Sequence, residues 1–152
     1  MTINLSSRHS VESVLDYIRI KTAEFEKAPE ERFQDIIKTN WRARTDVLNS
    51  PGVYVIYENR KVIYVGMAGK GKHSLNFRLG DLFFHSEISG RNRFHHTLTE
   101  KLLTRVKRFK TIEEVRRFYF RCRVKTVETG TFQQARTIEA VLIELLKPGY
   151  ND

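Results

Sequence analysis

Apolar positions recur at helical spacing from Ser10 to about Ala28, where Val11, Val14, Leu15 and Ile18 fall on one side and Ser10 stands as N-cap. Pro29 suits the first turn of a second helix through Phe33, Ile36 and Ile37. Residues 39–50 read as a connection that ends in Asn49-Ser50-Pro51-Gly52. The pattern then changes. Gly52 to Tyr57 and Lys61 to Gly66 are rich in β-branched and aromatic residues, with Glu58-Asn59-Arg60 as a tight turn between them, which predicts a short antiparallel hairpin. Gly69 and Gly71 mark a loop, and Ser74 caps a helix to about Ser86. After a polar stretch over 87–93, Thr97 to about Val106 reads as helix, and Thr111 opens one more short helical turn. Phe118 to Val127 alternates strictly: Phe118, Phe120, Cys122 and Val124 take one face, Tyr119, Arg121, Arg123 and Lys125 the other. That predicts a third strand. Thr131 and Gln134 have capping-box spacing, and the helix they open runs to about Lys147, before Pro148-Gly149.

A hairpin, helices, a strand and a closing helix predict an α+β fold, with a small three-stranded antiparallel sheet flanked by helices. The helical stretch over 1–47 differs in kind from the rest of the chain and reads as an N-terminal extension to a domain over 48–152. A length of 152 residues suffices for one domain with a real core. No run of eighteen apolar residues is available to span a membrane. The N-terminus lacks the apolar centre of a secretory signal, and the lone Cys122 can form neither an internal disulfide nor a multi-cysteine metal site. A cytoplasmic location is the expectation. Charge says more. The first 47 residues balance eight Lys/Arg against eight Asp/Glu, so the whole net charge of +9 lies in the remainder, most densely over 100–125. A one-sided basic excess suits a nucleic-acid partner, although a solvated basic surface would look the same.

On the last helix, Ala135, Ile138, Val141, Leu142, Leu145 and Leu146 form the apolar side, and Glu139 falls inside it while Glu144 lies opposite. A carboxylate among apolar neighbours is costly unless a partner or a metal holds it. A plain alternative is that Glu139 sits at the stripe's edge, in solvent or beside an arginine. Tyr54 and Tyr64 lie on neighbouring strands, where cross-strand packing alone would account for them. Lys70 and Lys72, among Gly66, Gly69 and Gly71, hint at a phosphate-contacting loop, although the P-loop spacing is absent. Arg78 follows on the next helix.

Together, Gly52-Val53-Tyr54 and Tyr64-Val65-Gly66 closely resemble the paired motif that names the GIY-YIG nuclease superfamily. In that family an arginine follows on the first helix, a metal-binding glutamate lies on a later helix, and an asparagine sits near the end. Arg78, Glu139 and Asn151 fall in those places, and the resemblance covers about residues 50–152. It implies a metal-dependent endonuclease that hydrolyses DNA phosphodiester bonds through an activated water. Glu139 would hold Mg²⁺, or another divalent cation such as Mn²⁺; Arg78 would grip the phosphate; Tyr54 or Tyr64 would orient or deprotonate the water; and Asn151 would fix the site by hydrogen bonds. Lys70, Lys72 and His85 are candidate helpers. The chain departs from the pattern at Leu82, where some members carry a histidine one turn after the arginine; His85 lies two turns after it. His95 and His96 read as ordinary surface residues. The chain's size suits a restriction-like or other stand-alone enzyme, and a homodimer through the first helix is one way to pair two sites across a duplex. The rivals are a nucleic-acid-binding module that keeps the fold without the catalysis, and an interaction domain whose basic surface is incidental.

Overall fold

The computed structural model describes residues 8–33, 35, 50–69, 74–84 and 97–151. In order these are α1 (Arg8–Lys27), β1 (Glu31–Arg32), β2 (Gly52–Glu58), β3 (Lys61–Ala68), α2 (Leu75–Phe84), α3 (Thr97–Glu100) continuing as a π-helical turn (Lys101–Arg105), α4 (Ile112–Arg121), β4 (Arg123–Glu128) and α5 (Phe132–Leu146). The sheet is antiparallel, with strand order β1-β4-β2-β3. It therefore has four strands, not the three expected. The fourth is β1, two residues long, at the start of the stretch where the pattern suggests a helix after Pro29; Glu31 pairs with Val124 and Arg32 with Arg123, whereas Phe33 and Asp35 are helical and Ile36 and Ile37 lie outside the described residues. So short an edge strand has no periodicity of its own and exists through its partner.

The hairpin forms as expected, with Asn59 and Arg60 both at positive φ, as a two-residue turn that matches the strand twist requires. Two expectations shift. The alternation over 118–127 reads as a strand, but residues up to Arg121 close α4, and the strand itself is Arg123–Glu128. Val115, Phe118, Tyr119 and Cys122 are all buried, and their spacing of three and four is the helical one. The helix from Thr97 widens at Lys101, where the Val106 N–H reaches the Lys101 carbonyl at 2.8 Å, an i→i+5 bond. The capping box is complete: Thr131 Oγ1 accepts from Gln134 N–H, and Gln134 Oε1 accepts from Thr131 N–H, both at 3.1 Å.

The pleat sorts side chains into two cores. Tyr54, Ile56 and Tyr64 face α2, α3 and α4, packing with Leu75, Leu79, Leu98, Leu102, Phe118 and Tyr119. Val53, Val55 and Val65 face the other way, onto Ala135, Ile138 and Leu142 of α5. Residues before position 48 belong to both cores, since Phe33 is fully buried in the first and Phe25 is buried in the second. The apolar stripe of α1 is split: Ile18 packs on the core, whereas Val11, Val14 and Leu15 are about half exposed. Leu145, placed on the apolar side of α5 by periodicity, is 61% exposed. Among the described residues no helix is long and apolar enough to cross a membrane. Phe33→Ala should lower the unfolding free energy by about 3–5 kcal/mol, the range for deleting a buried aromatic side chain. An unchanged urea midpoint would place Phe33 outside the core.

Candidate active site

Two glycines let the strands and helices close on one another. Gly66 pairs with Tyr54 across the hairpin, and the tyrosine ring lies directly over it. A Cβ at Gly66 would stand 2.3 Å from both the Tyr54 Cζ and its hydroxyl oxygen. A Cβ at Gly52 would stand 2.3 Å from the Val127 carbonyl oxygen and 2.6 Å from Leu75 Cδ1. The first motif's glycine thus lets β4 and α2 approach β2, and the second makes room for the first motif's tyrosine. Gly66→Ala should push the Tyr54 ring aside and cost about 1–3 kcal/mol of overpacking strain. Thermal unfolding checks this, and a variant as stable as the parent would mean that the ring lies elsewhere.

The helix that carries Arg78 is fixed at its start. The Leu75 N–H donates to the Ser50 carbonyl at 2.9 Å, and Ser74 Oγ accepts from Phe77 N–H at 3.3 Å, as a capping serine does. Leu75 and Leu79 are fully buried. Arg78 lies three residues from one and one from the other, so it is carried at the edge of the buried face and is itself half-buried. Its guanidinium hydrogen-bonds the Tyr54 hydroxyl. The Tyr54 and Tyr64 rings are 6.2 Å apart and tilted by 36°. Glu139 enters from α5, on the opposite side of the sheet, close enough for its charge to act on both Tyr64 and Arg78. The structure thus brings together Tyr54, Tyr64, Arg78 and Glu139.

Electrostatics differ among the four. Tyr54 is completely buried, and burial holds its hydroxyl well above the usual range although Arg78 pulls it down. Tyr64 is slightly more open, and burial pushes it to about 12 against the pull of Arg78. Burial also raises the Glu139 carboxyl, opposed by Arg136 and Arg78. Glu139 is half-buried and has no hydrogen bond or salt bridge among the described residues. Beneath the tyrosines, the Tyr119 and Thr99 hydroxyls share a 2.6 Å hydrogen bond. Tyr119 escapes the sequence reading because the strand assignment turns it to the wrong face.

Asn151 is tied to β3 next to Tyr64: its amide nitrogen donates to the Val65 carbonyl and its oxygen accepts from the Val65 N–H, both at 2.7 Å. Lys70, Lys72 and His85, with His95 and His96, lie outside the described residues, as does the side chain of Leu82. Cys122 is buried, and burial pushes its thiol to about 12, so it is a packing residue and not a nucleophile.

No family model and no curated protein matches the chain. Among solved structures, it is similar to the GIY-YIG N-terminal endonuclease domain of UvrC from Thermotoga maritima, bound to its catalytic divalent cation, magnesium; the identity is 19%, the match covers 82% of this chain and 100% of that one, and the TM-score is 0.43. Two point mutants of that domain, each bound to the catalytic divalent cation, are 22% and 21% identical, with 75% and 76% of this chain and 98% of each of theirs covered, at TM-scores of 0.42 and 0.40.

Proposed function

We propose that this chain is a metal-dependent endonuclease that hydrolyses DNA phosphodiester bonds, in a restriction-like or other stand-alone role. The observation that carries this reading is Glu139: a half-buried carboxylate, bonded to no other described residue, beside an arginine and a tyrosine. Left alone, such a group is a burden on the fold. Facing a cation and a phosphate, it is a working part.

The donor set fits a hard, hydrated divalent ion. Among the described residues Glu139 is the carboxylate at the site, and no group of three or more His, Cys, Asp or Glu could form an all-protein cage. Mg²⁺ is commonly held by one or two carboxylates, waters and substrate phosphate, and Mn²⁺ accepts the same oxygen ligands, whereas structural zinc needs four protein donors. Glu139 would hold the ion, which when bound supplies Lewis-acid stabilisation of the phosphoryl oxygens. Arg78 offers its planar fork to the phosphate and neutralises charge as it builds. Tyr54, sealed from solvent and bonded to Arg78, aims that fork. Tyr64 is the tyrosine less enclosed, and its hydroxyl orients the attacking water. With its proton held to about pH 12, it does so as a neutral hydrogen-bonding group. Asn151 steadies the strand that carries it. Lys70, Lys72 and His85 are proposed phosphate contacts or helpers on their place in the sequence.

DNA as the substrate rests on charge. Arg105, Lys107, Lys110, Arg117, Arg121 and Arg123 are all exposed, on the π-helical turn, the loop after it, α4 and the start of β4. Binding through phosphates releases counterions, so log K should fall linearly with log salt, by about 0.9 per phosphate contacted. The test is supercoiled plasmid incubated with the protein in Mg²⁺ and in EDTA. Relaxation or linearisation in Mg²⁺ alone is expected. Salt-sensitive binding without cleavage in Mg²⁺ or Mn²⁺ would leave a nucleic-acid-binding module in its place.

A further inference from the structure

Beyond α5 the chain turns back along the open edge of β3. In an antiparallel strand, successive residues point their backbone groups to alternate sides. On an edge strand, those that point outward meet no other strand. Here residues 150 and 151 meet them. The Tyr150 N–H donates to the Ile63 carbonyl at 2.9 Å. The Asn151 side-chain amide takes both groups of Val65, doing with one side chain what a neighbouring strand would do with its backbone. The two contacts bracket Tyr64. They also fall at an irregularity: Ile56 pairs with Tyr64 but Tyr57 pairs with Val62, so Ile63 is a bulged residue without a partner on β2. A bulge loosens the ladder locally and re-aims the side chains beside it. At Tyr64, then, β2 holds the strand from one side only in part, and the tail holds it from the other.

The tail is itself held by Arg108, on the loop after the π-helical turn. Its Nη1 and Nη2 donate to the two Glu58 carboxylate oxygens at 2.9 and 2.5 Å, and Nη1 also donates to the Tyr150 hydroxyl at 3.1 Å. Its guanidinium stacks at 4.7 and 5.1 Å from the ring centroids of Phe118 and Phe109. Lys101 Nζ adds a bond to the Tyr150 carbonyl at 3.2 Å. A planar fork fixed by two rings can grip a carboxylate and a phenol in one geometry, which a lysine could not. Glu58 ends β2, so this contact fastens the tail to the hairpin that carries both motif tyrosines.

We propose that Arg108, acting through Glu58 and Tyr150, is a positioning residue for Tyr64: it locks the tail whose bonds to Ile63 and Val65 set the aim of β3 at its bulge. The proposal rests on the nuclease reading of Tyr64 given above. Two readouts on the full-length chain test it: amide hydrogen exchange at Val65, and single-turnover DNA cleavage in saturating Mg²⁺ with DNA affinity measured separately. In Arg108→Gln the Val65 N–H should exchange about tenfold faster while Val53 and Val55 keep their rates, a local opening and not a global one. The cleavage step should slow about tenfold or more, as small misplacements of reacting groups do, with DNA affinity unchanged. The charge swap Glu58→Arg with Arg108→Glu should recover part of both losses. Tyr150→Phe, which removes a single bond and leaves the core intact, should move both readouts the same way by less. Unchanged exchange at Val65 in Arg108→Gln and Tyr150→Phe would overturn the proposal. So would faster exchange with an unchanged cleavage rate. Failure of the wild-type chain to cut DNA would instead refute the nuclease reading, and exchange at Val65 would still show whether Arg108 holds the strand.

Discussion

Glu139→Gln is expected to abolish DNA cleavage while leaving the protein folded and able to bind DNA. The substitution keeps the size of the side chain and removes its charge. If that charge holds the cation, the rate should fall by about three orders of magnitude or more, since Lewis-acid stabilisation is worth several kcal/mol and each tenfold is about 1.36 kcal/mol. Stability should move little or rise. Burial already holds the carboxyl above its ordinary range, so the folded protein bears a desolvation cost that a neutral amide does not. Loss of activity with an unchanged melting temperature is thus the signature of a site residue. A glutamine variant that cuts at the wild-type rate in saturating Mg²⁺ would remove Glu139 from the metal.

Arg78→Lys should be nearly as damaging, by about 10²–10³ in the single-turnover rate, the cost typical of losing one positioned donor to a developing charge. Lysine preserves the positive charge on a long flexible stem. It loses the planar fork that can meet a phosphate while also bonding the Tyr54 hydroxyl. DNA affinity should change by much less than the rate, because the charge remains. Unchanged turnover would limit Arg78 to holding Tyr54 in place.

Local signals make part of this legible in the sequence alone. The hairpin follows from β-rich runs on either side of a turn, and the start of α5 from Thr131 and Gln134, whose reciprocal bonds both form. Signals failed where two periods competed or where contacts were distant. Over 118–127 a two-residue alternation masks the 115, 118, 119, 122 spacing that decides the matter, because it is burial and not alternation that the helix satisfies. β1 is two residues that are extended only because β4 lies beside them. At the site, the four residues singled out by motif and by periodicity do converge, and the glycines of the motif prove to be spaces for Tyr54, Val127 and Leu75. The contacts of Arg108 with Glu58 and Tyr150 join residues 50 and 42 positions apart, and no local pattern announces them.

The most direct test of the central claim is a single-turnover time course of the purified wild-type chain on plasmid DNA across a Mg²⁺ titration, with Glu139→Gln purified in parallel to exclude a contaminating nuclease. Cleavage should rise with Mg²⁺ to a plateau, vanish in EDTA, and be missing from the variant at every concentration. Wild-type protein that binds the DNA yet cuts nothing in Mg²⁺ or Mn²⁺, or a variant that cuts equally well, would contradict the account.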